Sequence, residues 1–146
     1  MIKGSRTILA VIALSISGIS SAYAEEQRYI SIRNTDSVWV PGGICSLQFR
    51  LDNGGSGQGF NKLAVTMRVK DNKGDILEEG IMDVEPFGDS DATRSQNAYL
   101  ETTCNDNASS VEVVKATEMI NGKEFSLPLS VFDTQYYKPL TVTVNE

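Results

Sequence analysis

The sequence predicts an all-β fold, an antiparallel sandwich, and three observations carry that expectation. The stretch Cys45–Leu51 alternates strictly: Cys45, Leu47, Phe49 and Leu51 point one way, Ser46, Gln48 and Arg50 the other. A period of two over seven residues is a strand with one buried face. Further short runs of this kind recur along the chain between glycine- and asparagine-rich turns, and no stretch after the first 24 residues has helical periodicity. The only two cysteines, Cys45 and Cys104, each sit on the apolar side of such a run, the second being Leu100, Thr102, Cys104.

Residues 1–24 read as a cleaved signal peptide. Lys3 and Arg6 form the positive start, Thr7 to Ile16 the apolar centre, and Ala22-Tyr23-Ala24 a small-x-small cleavage site. The apolar run is too short for a stable span, so no membrane insertion is expected after cleavage. The mature chain, 25–146, is one domain, of a length that can bury a core. Export places the cysteines in an oxidising compartment, and a Cys45–Cys104 disulfide is expected. The expected location is periplasmic or extracellular.

The elements follow in order. Tyr29–Arg33 alternates as a first strand, Asn34-Thr35-Asp36 reads as a turn, and Val38–Val40 as a short extended piece ending at Pro41-Gly42-Gly43. Trp39 reads as a plug of the core or its rim. Ile44–Asp52 is the second strand. Asn53–Gly59 holds four glycines and reads as a mobile loop; it lacks the Gly-Lys-Ser/Thr and the following helix of a phosphate loop. Leu63–Val69 is a strand, and Asp71-Asn72-Lys73-Gly74 a turn with Gly74 left-handed. Asp75–Leu77 and Ile81–Glu85 read as two pieces, then a polar loop leads to the strand Asn97–Cys104. Val111–Met119 and Glu124–Leu127 flank Asn121-Gly122, a strong hairpin signal. A short piece at Ser130–Phe132 and a last strand, Leu140–Val144, complete the chain. Strand number and spacing suit an immunoglobulin-like sandwich. No tryptophan follows Cys45 and Thr102 stands where a tyrosine corner belongs, so the fibronectin type III-like variant is expected.

Composition limits the chemistry. There is no histidine, which excludes Ser-His-Asp and Cys-His pairs and His-ligated metals. Paired cysteines leave no thiolate. The 19 acidic residues are not distinguished by context as a glycosidase pair would be. Asp89, Asp91 and Asp106 do not follow calcium-loop spacing and read as solvated turns. No catalytic residue, metal or cofactor is therefore expected, and no enzyme activity. Removing Lys3 and Arg6 leaves 11 basic residues against 19 acidic ones, a net −8, which disfavours nucleic acid and anionic lipid. Tyr136 and Tyr137, between Asp133 and Lys138, form the most interface-like stretch and are the candidate protein-binding residues.

Several segments taken together carry a family resemblance. They are Arg28–Asp36, Ile44-Cys45 with Gln48–Gly55, Phe87–Ser90 with Ala92–Arg94, Leu100–Thr102 with Cys104, Lys115–Glu118, Ser126–Asp133 and Pro139-Leu140. In this order they resemble the interleukin receptor mimic protein A (IrmA) family of small secreted enterobacterial proteins. The resemblance implies a fibronectin type III-like sandwich and a homodimer formed by strand exchange. It also implies binding to host cytokine receptor ectodomains of the interleukin-2, -4 and -10 systems. The loops Asn53–Gly59 and Pro86–Arg94 are long enough to act as hinges in such an exchange. The alternative reading is a structural or assembly module of the cell envelope, an adhesin subunit or periplasmic chaperone-like protein, which should show an exposed groove or donor strand.

Overall fold

A computed structural model describes residues 26–135 and 140–145. Among these residues nine strands form two sheets: β1 (Ile30–Val40), β2 (Ile44–Asp52), β3 (Leu63–Asp71), β4 (Ile76–Val84), β5 (Ser95–Thr103), β6 (Ala108–Ile120), β7 (Lys123–Ser126), β8 (Phe132–Thr134) and β9 (Thr141–Val144). One sheet has the order β5-β2-β1-β8; the other has β4-β3-β6-β7, with β9 also on β6. β4 lies beside β3 rather than β5, unlike the constant-type immunoglobulin sheet, so the sandwich is fibronectin type III-like. No α-helix occurs among the described residues; two 3-10 turns, Asp91–Thr93 and Leu129–Val131, are the only helical pieces there.

The core is what the alternation predicts. Leu47, Phe49 and Leu51 from β2 meet Val65, Met67 and Val69 from β3, together with Ile30, Ile32, Met82, Val84, Val111 and Val113. Burying each such side chain stabilises by about 1.5 to 3 kcal/mol before chain entropy is counted. Cys45 and Cys104 are bonded, with Cα atoms 4.9 Å apart and 59 positions between them in sequence. Closing a loop of that length contributes about 4 kcal/mol in the chain-entropy model.

Four expectations are corrected. Asn34-Thr35-Asp36 is no turn: β1 runs unbroken from Ile30 to Val40, with a bulge between Asn34 and Asp36 in its pairing with β2. Asn34 is fully buried and holds that bulge. Its Nδ2 donates to Gln48 O at 2.8 Å and Asp36 O at 3.1 Å, and its Oδ1 accepts from Leu140 N at 3.0 Å. Asp75–Leu77 and Ile81–Glu85 are parts of one strand, β4. The 130–132 piece is mostly a 3-10 turn, with only Phe132 opening a strand. Trp39 is 67% exposed and plugs nothing; the bulge explains where it goes, as shown below.

The last two strands add a feature with no signature in the pattern. β8 pairs with β1 in parallel through three residues, and β9 pairs with β6 in parallel through four. The chain end thus reaches from an edge of one sheet to the other, with Gln135 N on Ile32 O and Asn145 N on Val113 O.

The glycine-rich loop is tied down. Asn53 is fully buried; its Nδ2 donates to Gly88 O at 2.8 Å and Gln58 O at 3.2 Å, and its N donates to Arg94 O at 3.0 Å. Phe60 and Phe87 form a two-bond bridge with ring centroids 5.6 Å apart. The two loops offered as hinges are therefore bonded to each other. Gly54, at φ 73°, lies against Tyr29 so closely that a Cβ would collide with the phenol oxygen.

Candidate binding surface

The end of the β1–β2 hairpin is built by the bulge. Before it, Ile30, Ile32 and Asn34 face the core; after it, Ser37 pairs with Leu47 and Trp39 with Cys45. Cross-strand partners share a face, so the bulge shifts the inward positions from even to odd numbers. Trp39 consequently stands on the core side of a hairpin that overruns the core. Beside it Val38 is 43% and Ile44 36% exposed. The turn Pro41-Gly42-Gly43 needs two left-handed residues, at φ 97° and 78°, which glycine supplies without strain. Cys104 N donates to Gly43 O at 2.9 Å, and the disulfide fastens β2 two residues beyond the turn. The tryptophan is therefore presented on a clamped hairpin, next to a hollow of about 220 Å³ lined by Ser37, Cys45, Leu47, Val69, Thr102 and Leu140 among others.

A second concave region lies where β4 and β5, the edges of their sheets, run side by side. It encloses about 500 Å³ and carries Ile81 and Tyr99, both mostly exposed, with Asp83, Glu85 and Glu101. Gly80 allows Leu100 to approach: a Cβ there would lie 3.0 Å from Leu100 Cδ1. Thr103 N donates to Glu78 Oε1 at 2.8 Å and joins the edges at one end.

The most heavily bonded ion pair joins the segment before β1 to β6. Glu118 is 1% exposed, and Arg28 grips it with both terminal nitrogens, at 2.9 and 2.8 Å. Asn61 adds a backbone donor at 2.8 Å and a side-chain donor at 3.2 Å. Burial alone raises the Glu118 carboxyl, but the Arg28 and Asn61 donors outweigh it and hold the group below its ordinary value. Glu26 is lowered too, chiefly by its hydrogen bond from Arg28. The Arg28 guanidinium also lies 4.3 Å over the Phe60 ring. This cluster is structural: it staples the segment before β1 onto β6 and the Phe60–Phe87 bridge.

Tyr136 and Tyr137 lie outside the described residues, as do residues 1–24, where a signal peptide is expected. Asp91 is on the 3-10 turn, 3.6 Å from Arg94, and Asp106 is in the separate turn before β6. Among the described residues no three carboxylates or cysteines gather as a metal site. Trp39, Ile81 and Tyr99 escaped sequence reasoning as surface residues. Each lies in a run that alternates like its neighbours, and only register and edge position expose them.

Residues 30–135 match the family described as IrmA: interleukin receptor mimic protein A. The chain is also similar to the solved structure of IrmA from Escherichia coli, at 57% identity and a TM-score of 0.74, over 81% of this chain and 100% of that one. No curated protein matches it.

Proposed function

Because the chain belongs to the interleukin receptor mimic protein A family, we propose that it is an exported protein that acts by binding host interleukin receptor ectodomains, and not by catalysis. Family membership carries this reading. The clamped hairpin supports it, since an exposed tryptophan on a rigid support is the chemistry of an interface anchor. Homodimerisation by strand exchange belongs to the same reading. β8 and β9 are the segments suited to exchange, because short parallel ladders at sheet edges hold them.

The test is surface plasmon resonance of the mature protein over ectodomains of the interleukin-2, -4 and -10 receptor systems. Saturable binding to at least one is expected; binding to none, by a folded and disulfide-bonded sample, refutes the reading. The β4–β5 groove favours a second reading, an envelope assembly module, because adjacent unpaired edges suit strand addition. That reading expects the groove residues, and not Trp39, to matter for partner capture.

A further inference from the structure

The open edges of β4 and β5 have a parity that the hydrogen bonds fix. Met119 N donates to Lys62 O, so Lys62 bonds toward β6, and alternation turns Leu63, Val65 and Met67 toward β4. Their partners there are Val84, Met82 and Gly80. The backbone groups of Ile81 and Asp83 therefore point away from β3, out of the sheet edge. On β5, Cys104 N donates to Gly43 O, while Thr103 N turns the opposite way and meets Glu78 Oε1 at 2.8 Å. The same alternation points Glu101, Tyr99 and Asn97 away from β2, and Gln96 Oε1 already takes Asn97 N at 3.1 Å. Tyr99 and Glu101 thus present open N–H and C=O groups between two capped donors.

The side chains above these edges come in a fixed order. Glu78 meets Thr103, and Gly80 lies against Leu100, so β4 and β5 run antiparallel to each other. Ile81 and Tyr99, 63% and 57% exposed, consequently lie abreast, with Glu101 beyond them toward one end and Asp83 toward the other. All four line the hollow of about 500 Å³. Along it the order is carboxylate, apolar pair, carboxylate, in steps of about 7 Å. Glu78, Glu79 and Glu85 are engaged with Thr103 N, Arg68 and Lys62. Asp83 and Glu101, both exposed, make no hydrogen bond or ion pair to any described residue. A second copy of this edge would set carboxylates against carboxylates, in a chain where 19 acidic residues outnumber 13 basic ones. A strand of another protein fits when a basic, an apolar and a basic residue occupy alternate positions. Its main chain then bonds Tyr99 and Glu101, its apolar side chain covers Ile81 and Tyr99, and its two cations take the free carboxylates.

We propose that the β4–β5 edge binds an extended segment of another protein in which two lysines or arginines flank an apolar residue at alternate positions. This supplies the strand chemistry for the edge addition of the second reading above, and it needs no receptor contact through Trp39. The test is an NMR titration of the amides of the mature protein with the capped peptide Thr-Lys-Thr-Ile-Thr-Lys-Thr. Three control peptides replace both lysines by glutamate, replace the isoleucine by serine, or methylate the isoleucine nitrogen. Saturable shifts at Ile81, Asp83, Tyr99 and Glu101 are expected with the probe, and binding weaker by about fivefold or more with each control. Asp83→Asn and Glu101→Gln, two independent surface variants, are each expected to weaken binding by about two- to fivefold, the worth of an exposed ion pair. No saturable shift with the probe overturns the proposal. So does equal binding of any control, or binding that both variants leave unchanged. Shifts of the same amides on diluting the protein alone would give the edge to a second copy and overturn it too. The titration contains no receptor, so it and the receptor measurement can fail separately.

Discussion

Arg28 and Glu118, 90 positions apart in sequence, face each other at 2.8 and 2.9 Å, and the Glu118 side chain is almost wholly removed from water. A charge buried this way is tolerable only while its partner stays. Arg28→Ala is expected to destabilise the fold by about 3 kcal/mol or more at neutral pH, measured by urea unfolding. Loss below about 1 kcal/mol would mean that water reaches Glu118 in the folded state.

The same pair sets an acid dependence. The folded-state carboxyl of Glu118 lies below its ordinary value of 4.5. Its contribution is therefore fully present above the unfolded value and is lost as pH falls through the lower, folded one. Stability of the parent should drop below about pH 4.5. Glu118→Gln should be less stable at pH 7 and show a shallower drop over the acid range. Parallel pH profiles for parent and variant would remove Glu118 from the account.

Asn34 should act on the chain end. Asn34→Ala leaves Leu140 N and Gln48 O without their buried partner, a loss of about 2 to 3 kcal/mol. Hydrogen exchange should accelerate at Leu140 to Val144 more than in β3, because β9 is tied to β1 through this residue. Uniform acceleration across all strands would contradict a local role.

Gly54 and Gly57 make a matched test, both lying near φ 75°. Only at Gly54 would a Cβ strike Tyr29; at Gly57 nothing lies within 4 Å. Both changes to alanine strain the backbone by about 1 kcal/mol, and Gly54→Ala should cost clearly more. Equal thermal shifts for the two would show that Tyr29 moves aside freely.

Trp39→Ala should leave the melting temperature nearly unchanged, since its side chain is mostly in solvent. If the hairpin is the receptor contact, binding should weaken by about 2 kcal/mol, as for an aromatic anchor. Replacing both Cys45 and Cys104 by serine should destabilise by about 2 to 5 kcal/mol. It should also weaken the same contact by loosening the clamp beside the turn. Unchanged receptor affinity in both variants would move the contact elsewhere on the sandwich.

Alternation, glycine and asparagine turns and two cysteines on apolar faces were enough to determine a sandwich with Cys45 bonded to Cys104. These signals are local, and burial enforces them directly. The core of β2 and β3 follows residue by residue, and the Asn121-Gly122 hairpin has the two positive φ values its type requires. The family came from many matched segments together, since no single one carries chemistry. What only the tertiary structure decided is parity, register and pairing across distance. A one-residue bulge held by buried Asn34 put Trp39 on the core-facing side of a hairpin that overruns the core, where it stands exposed. Register brought Arg33 against Arg50, and folding brought Arg28 to Glu118. The parallel docking of β8 and β9 depends on free edges of strands far away in sequence, and a period of two does not encode which edge a strand will join.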